Sequence, residues 1–96
     1  MNDKERKIFV EALKAYGPSA QEMMLLEEMA ELQKEICKTW RGRPNLVAIA
    51  DEMADVEIML DQMKLLFQNG GLVQQRREYK VDRLQERLMQ RVEPKP

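Results

Sequence analysis

Four carboxylates with regular spacing are the residues of this chain best suited to chemistry. Glu28 and Glu31 are three residues apart, and so are Glu52 and Asp55. Both pairs lie in stretches whose apolar residues recur every three or four positions, which is the period of an α-helix. Because members of such a pair are about 60° apart around a helix, each pair projects from one helix face. The sequence therefore presents two pairs of acids bordered by apolar neighbours.

A helical hairpin would bring the two pairs together. Glu31 and Glu28 lie 11 and 14 residues before Gly42. Glu52 and Asp55 lie 10 and 13 residues after it. If the two helices pack antiparallel, Glu31 comes near the level of Glu52, and Glu28 near the level of Asp55. Four facing carboxylates repel each other strongly unless they are protonated or neutralised.

A ligand set made only of oxygen atoms favours a hard cation. Mg²⁺ is the usual choice for phosphate chemistry, and because it keeps some waters and bridges phosphates, the four acids predict a nucleotide-like ligand. The chain has no histidine and a single cysteine, Cys37. This composition excludes the usual zinc sites and histidine-based catalysis. A second interpretation stays open, in which the acids form surface ion pairs such as Glu31 with Lys34 or Glu35 with Lys38.

Glycine and proline divide the chain into four predicted helices and leave almost no strand pattern, so we expect an all-α antiparallel bundle of about four helices. Gly17 is expected to end the first helix, a capping box from Ser19 to Glu22 to start the second, and Asn45 to start the third. The predicted helices cover residues 3–16, 19–39, 46–68 and 72–91. Together they form one domain, residues 1–92, followed by a short flexible tail at 93–96.

Charge and apolar pattern predict the partners. The 96 residues carry 16 basic and 17 acidic side chains, a net charge of −1, which argues against nucleic-acid binding. The second and third helices are apolar around much of their circumference, which in so short a chain predicts a homo-oligomer, a dimer or a tetramer. The longest apolar run, Leu46 to Ala50, is too short for a membrane span. No apolar region of a signal peptide follows residues 1–7, so we expect a cytoplasmic protein.

The acidic residues also resemble a known pattern. The segment Glu27-Glu28-x-x-Glu31, followed about twenty residues later by Glu52-x-x-Asp55, is similar to the EExxE…ExxD signature of the MazG-like nucleotide pyrophosphohydrolases. The resemblance extends from about Tyr16 to Arg87 and includes Trp40-Arg41-Gly42 at the hairpin loop. It implies an all-α, oligomeric enzyme that binds Mg²⁺, or Mn²⁺, through Glu28, Glu31, Glu52 and Asp55.

The resemblance implies a reaction as well. Members of this group cleave nucleoside triphosphates between the α- and β-phosphates and release a monophosphate and pyrophosphate. A basic residue of a later helix contacts the phosphates, and Lys80 and Arg83 match that region. Many relatives carry an asparagine where this chain has Asp82-Arg83.

The expected mechanism is attack by a water bound to the cation, with Glu27 or Glu31 orienting or deprotonating that water. Trp40 could stack on a nucleobase, but packing against the end of the bundle or against another subunit is favoured. Two other functions stay open. One is a non-catalytic helical module for oligomerisation or interaction, which would be indifferent to chelators, and the other is a phosphoribosyl-ATP pyrophosphatase.

Overall fold

Four helices account for most of the described chain, which in the computed structural model comprises residues 1–91. They are α1 (Asp3–Tyr16), α2 (Pro18–Trp40), α3 (Leu46–Phe67) and α4 (Gly70–Arg91). No strand occurs in this part of the chain. The predicted all-α class is confirmed. The predicted tail at 93–96 lies outside the described residues.

The helix boundaries follow local chemistry. The carbonyl of Leu13 accepts a hydrogen bond from the Gly17 N–H, and Gly17 has a φ of 91°, so the predicted end of α1 is confirmed. The Asn45 side chain accepts a hydrogen bond of 3.0 Å from the N–H of Ala48 at the start of α3, as predicted. A left-handed residue, Gln68 with a φ of 52°, ends α3.

The predicted capping box at Ser19 is wrong. Helix α2 begins at Pro18 with Gly17 as its N-cap, and no side chain of residues 1–91 caps it. The reason is that proline has a fixed φ and lacks an N–H, so it suits the first helical position and draws Ser19 into the first turn. A capping box is found instead at Asn2 and Glu5, where each side chain accepts a 2.8 Å bond from the other's backbone N–H.

The start of α4 also differs from the prediction. This helix begins at Gly70 rather than at residue 72, and the carbonyl of Asn69 accepts a 2.9 Å bond from the N–H of Val73. Residues in the first turn need no intrahelical acceptor for their N–H groups, so the glycines cost less there than in a helix interior.

Helices α2 and α3 form an antiparallel hairpin, and α1 packs against both of them. Helix α4 contacts α3 and no other described helix. The buried apolar residues among positions 1–91 are Phe9, Met59 and Met63, and α4 has no buried residue. The hairpin is therefore the centre of the fold, and α4 extends away from it. No helix among residues 1–91 is long and apolar enough to span a membrane.

Candidate metal centre

Three carboxylates converge between α2 and α3. Glu28, Glu52 and Asp55 each place one carboxylate oxygen within 4.8 Å of the others. Glu28 and Glu52 are half-buried, whereas Asp55 is exposed. The predicted hairpin register, which sets Glu28 at the level of Asp55, is confirmed. Because Asp55 is exposed, a ligand can approach this acid from solvent.

Burial and mutual repulsion act together on these acids. The pKa of Glu28 is raised, first because burial penalises its charged form and then because Asp55 and Glu52 carry like charges. A hydrogen bond between the Glu28 and Asp55 side chains raises it further. The pKa of Glu52 is also raised, by burial first and then by the charges of Asp55 and Glu31. A positive charge among these acids would offset their mutual repulsion and stabilise the charged forms of Glu28 and Glu52.

One buried oxygen atom without a partner belongs to this group of acids. Oε2 of Glu52 is inaccessible to solvent and has no hydrogen-bond partner among residues 1–91. A buried charged acceptor without a donor is costly and requires a compensating group. A hard divalent cation, whose ligands are oxygen atoms, fits this donor set of three carboxylates. The residues present are therefore compatible with Mg²⁺ or Mn²⁺.

The remaining predicted acids lie at the margin of the centre. Glu31 is exposed and is not part of the group of three oxygens, although its charge acts on both Glu28 and Glu52. Glu27 is exposed, and its charge contributes to neither of the two raised pKa values. The structure thus brings together three of the four predicted ligands.

Glu35 is the residue of this region that the sequence does not identify as functional. Its spacing to Lys38 is typical of a surface ion pair, and the two do form one, with 3.0 Å between Lys38 Nζ and Glu35 Oε1. Glu35 is nevertheless buried, and its other oxygen has no partner among residues 1–91. The expected ion pair therefore forms, with the Lys38 side chain 37% exposed, but its acid is buried rather than on a solvated face. The i, i+4 spacing from Glu31 was a signal, because it places Glu35 on the acidic face of α2.

The predicted substrate-binding residues lie apart from the acids within one chain. Lys80 and Arg83 are on α4, which does not contact α2. Lys80 lines a shallow groove of about 600 Å³ along α4, whose wall also includes Leu72, Val73, Arg76, Arg77 and Leu84. Trp40, at the end of α2, is 83% exposed, so it does not cover the end of the bundle in a single chain.

Comparison with known proteins adds no assignment: no protein-family model, no curated protein and no solved structure matches this chain. The inference about function therefore depends on the acidic centre and on α4, which carries six basic residues.

Proposed function

We propose that this protein is a nucleoside triphosphate pyrophosphohydrolase of the MazG-like type, dependent on Mg²⁺ or Mn²⁺. It would cleave an NTP or dNTP to the monophosphate and pyrophosphate. The observation that carries the proposal is the convergence of Glu28, Glu52 and Asp55, with ligand oxygens within 4.8 Å of one another on two facing helices. A cation there would neutralise the acids and bind the phosphates of a nucleotide.

The acids have distinct roles in this proposal. Glu28, Glu52 and Asp55 hold the cation, and Glu31 completes the set directly or through water. The cation supplies a polarised water and neutralises charge that develops on the phosphate oxygens. Of the two candidates for orienting that water, Glu31 is the better one. Around α2, Glu31 lies about 60° from Glu28, whereas Glu27 lies about 100° from it, so Glu31 is nearer the centre.

A second subunit would supply the phosphate-binding residues. Helix α4 carries six basic and three acidic residues, while the hairpin helices are strongly acidic. Because α4 does not reach α2 in its own chain, we assign Lys80 and Arg83 to the site of a neighbouring subunit. Their cationic groups would bind the β- and γ-phosphates, and a guanidinium matches the phosphate oxygens in bidentate geometry.

The dimensions of the single chain support a homo-oligomer. Its radius of gyration is 17.4 Å, against about 12 Å for a compact domain of this length. Its accessible surface is 8158 Å², against about 5700 Å² for a monomer of the same mass. If a dimer buried this excess surface on both subunits, its interface area would lie in the range of obligate homodimers. Exposed apolar residues would supply that interface, among them Met23, Leu26, Met29, Val81, Leu84 and Leu88.

Exposed Trp40 belongs to the same proposal. Of the two kinds of packing predicted for it, only a contact with another subunit is compatible with its 83% exposure in a single chain. We place the activity in the cytoplasm, where nucleotides are made and where Cys37 would remain a free thiol.

The test is pyrophosphate release from a panel of NTPs and dNTPs in the presence of Mg²⁺ or Mn²⁺. Wild type should release pyrophosphate, and Glu52→Gln should reduce kcat at least about 100-fold, since it removes a ligand and a charge. Glu57→Gln is the matched control, because Glu57 is an exposed acid of the same helix outside the centre. Inactivity of wild type on the whole panel, or full activity of Glu52→Gln, would refute the proposal.

Two alternative functions can be distinguished from this proposal with the same purified protein. The exposed apolar face of α4 is also compatible with a non-catalytic oligomerisation module, which would assemble equally well with or without a chelator. A phosphoribosyl-ATP pyrophosphatase would need the same cation but would prefer phosphoribosyl-ATP over the NTP panel.

A further inference from the structure

Helix α4 sorts its charged side chains into two rows. The longer one, here called the basic row, comprises Arg76, Lys80, Arg83, Arg87 and Arg91. Because successive members are three or four positions apart, all five lie within about 80° of one another around the helix. A shorter row of acids, Glu78, Asp82 and Glu86, lies on another side. A line of positive charge therefore runs along one side of α4.

The charge of the basic row is not compensated within the described chain. Four of its members are exposed and Arg83 is half-buried, and none forms an ion pair among residues 1–91. Helix α4 contacts α3 and no other described helix. Arg76 and Lys80 are like charges at i, i+4, as are Arg83 and Arg87, and such pairs destabilise a helix. A polyanion that lay along the row would offset this repulsion.

The basic row is longer than a triphosphate requires. Lys80 and Arg83, which we assign to the β- and γ-phosphates, lie in its middle. The whole row extends over 15 residues, about 22 Å of helix. Its cations recur about every 4.5–6 Å along the axis. Since phosphates also recur regularly along a nucleic-acid strand, a strand is a ligand that neutralises the entire row.

An exposed aromatic ring lies beside the row. Tyr79 is 52% exposed, and the guanidinium carbon of Arg76 is 4.7 Å from the centre of its ring. Proteins that bind single-stranded nucleic acid combine a track of cations, which follows the phosphates, with aromatic side chains on which the bases stack. Helix α4 carries both elements on adjoining sides. The combination favours a single strand over an anion without bases.

A row of acids on a second copy of this chain is a poorer match. No described helix carries five exposed acids in a row. The acids of α4 number three, and the row of Glu28, Glu31 and Glu35 on α2 ends in a buried residue. The net charge of −1, which argues against nucleic-acid binding by the chain as a whole, averages an acidic hairpin with a basic helix.

We propose that the basic row and Tyr79 bind a single strand of nucleic acid whose 5′-triphosphate is the substrate of the acidic centre. This inference rests on the proposed function. Arg87 and Arg91 would bind phosphates of the strand itself. The reaction is unchanged: the water oxygen forms a bond to the α-phosphorus while a water proton passes to Glu31. The bond from that phosphorus to the bridging oxygen of the β-phosphate breaks, and its electron pair leaves with pyrophosphate. The strand keeps a 5′-monophosphate.

Binding is measured on the product strand, which cannot release pyrophosphate. The probe is a 3′-fluorescein RNA of about 12 nucleotides with a 5′-monophosphate, followed by anisotropy in a chelator. Wild type should bind it, with a slope of log affinity against log salt of about −3.5 for five phosphate contacts. Arg87→Gln/Arg91→Gln should lower the affinity at least about tenfold and the slope to about −2. No binding by wild type, or an unchanged slope in the double variant, would overturn the proposal.

Arg77→Gln is the matched control. It removes the same charge from the same helix, but Arg77 lies about 80° from the middle of the row, so the salt slope should not change. Tyr79→Ala should lower the affinity at least about fivefold, also without a change in slope. If Arg77→Gln reduced the slope as much as Arg87→Gln, the general charge of α4 and not the row would bind the strand, which would overturn the proposal.

Hydrolysis separates the strand from the free nucleotide. Pyrophosphate release is compared between the 5′-triphosphorylated RNA and free NTPs in Mg²⁺. Arg87→Gln/Arg91→Gln should lower kcat/KM at least about tenfold for the RNA and leave it unchanged for NTPs, since both residues lie beyond the triphosphate. Equal losses on the two substrates would overturn the proposal.

Two other occupants of the row have their own signatures. Vesicles of phosphatidylserine and phosphatidylcholine test for a membrane surface, and sedimentation equilibrium of Arg87→Gln/Arg91→Gln tests for a subunit contact. We expect weaker binding to the vesicles than to the RNA and an unchanged oligomeric state. Tighter binding to the vesicles, or dissociation of the double variant into monomers, would overturn the proposal.

The two proposals fail in different ways. Release of pyrophosphate from free NTPs by a chain that does not bind the RNA would refute the strand as substrate and leave the hydrolase standing. Binding of the RNA through the row without pyrophosphate release from any substrate would refute the hydrolase and leave only the strand-binding surface.

Discussion

Gln21 and Gln62 share a buried hydrogen bond across the α2–α3 hairpin, in which Gln21 Nε2 donates to Gln62 Oε1 at 2.6 Å. Gln21 lies seven residues before Glu28, and Gln62 lies seven residues after Asp55. On each helix the glutamine lies two turns from the carboxylate. The Gln21–Gln62 and Glu28–Asp55 contacts are therefore consistent with one alignment of the two helices. The glutamine pair is therefore in the same helix register as the contact between Glu28 and Asp55.

Removing one partner of this pair should destabilise the fold more than removing both. Gln21→Leu leaves the buried amide of Gln62 without its donor, which should lower the free energy of unfolding by about 1–3 kcal/mol. The double variant Gln21→Leu/Gln62→Leu should recover most of that loss. Urea unfolding at one fixed chain concentration measures it. Gln74→Leu, which changes an exposed glutamine on α4, should stay within about 0.5 kcal/mol of wild type. This view would be contradicted if the double variant lost as much unfolding free energy as Gln21→Leu and Gln62→Leu lose together.

Divalent cations should stabilise the protein. A ligand that binds only the folded chain, present at 100 times its Kd, adds about 2.7 kcal/mol to the free energy of unfolding. Thermal unfolding with Mg²⁺ and with a chelator, at matched ionic strength, measures the shift in Tm. Glu28→Gln should abolish the shift, and Glu57→Gln should retain it. An equal Tm with and without Mg²⁺ in wild type would remove the basis for a metal centre.

Without a cation, the acidic centre should make the protein less stable as the pH rises. The pKa values of Glu28 and Glu52 lie above the ordinary value of 4.5 in the folded chain, so the folded state holds these protons more tightly. The stability they contribute is complete below 4.5 and is lost as the pH rises through the raised values. In a chelator, the protons held by Glu28 and Glu52 should therefore contribute more to the Tm of wild type at pH 4.5 than at pH 7.5.

Glu52→Gln is the informative variant for this pH dependence. It removes one of the two carboxyl groups and one cause of the raised pKa of Glu28. Its Tm should therefore change less than that of wild type between pH 4.5 and pH 7.5, and at pH 7.5 in a chelator it should exceed that of wild type. If the Tm of Glu52→Gln depended on pH as strongly as that of wild type, groups outside the acidic centre would cause the pH dependence.

An acidic residue on the apolar face of α4 should weaken self-association. Leu84 is 53% exposed in a single chain and lines the groove along α4. If this face is a subunit interface, Leu84→Glu places a charge in it and should shift the protein towards monomer by at least about tenfold in the dissociation constant. Sedimentation equilibrium measures the change.

The matched control for the α4 variant is Gln85→Glu, which adds the same charge to the next residue, about 100° away around the helix. It should leave the association unchanged. Equal association of Leu84→Glu and wild type would show that another surface holds the subunits together, and a monomeric wild type would refute the oligomer itself.

The sequence by itself determined the helices and the spacing of the acids. Helical periodicity, Gly17, Asn45 and the glycine of the hairpin loop are local signals, because capping and turn geometry depend on residues a few positions apart. Counting from Gly42 also predicted that Glu28 faces Asp55, since a short loop leaves two long helices little choice but an antiparallel hairpin.

Only the tertiary structure decided which side chains are buried and which oxygens lack partners. Glu35 has the spacing of a surface ion pair with Lys38, yet the packing of α2 against α3 buries it. The isolation of α4 from α2, and the hydrogen bond between Gln21 and Gln62, likewise depend on contacts between residues distant in the chain. The burial of a residue depends on every element that packs around it. The i, i+3 spacing describes only the helix that carries the residue.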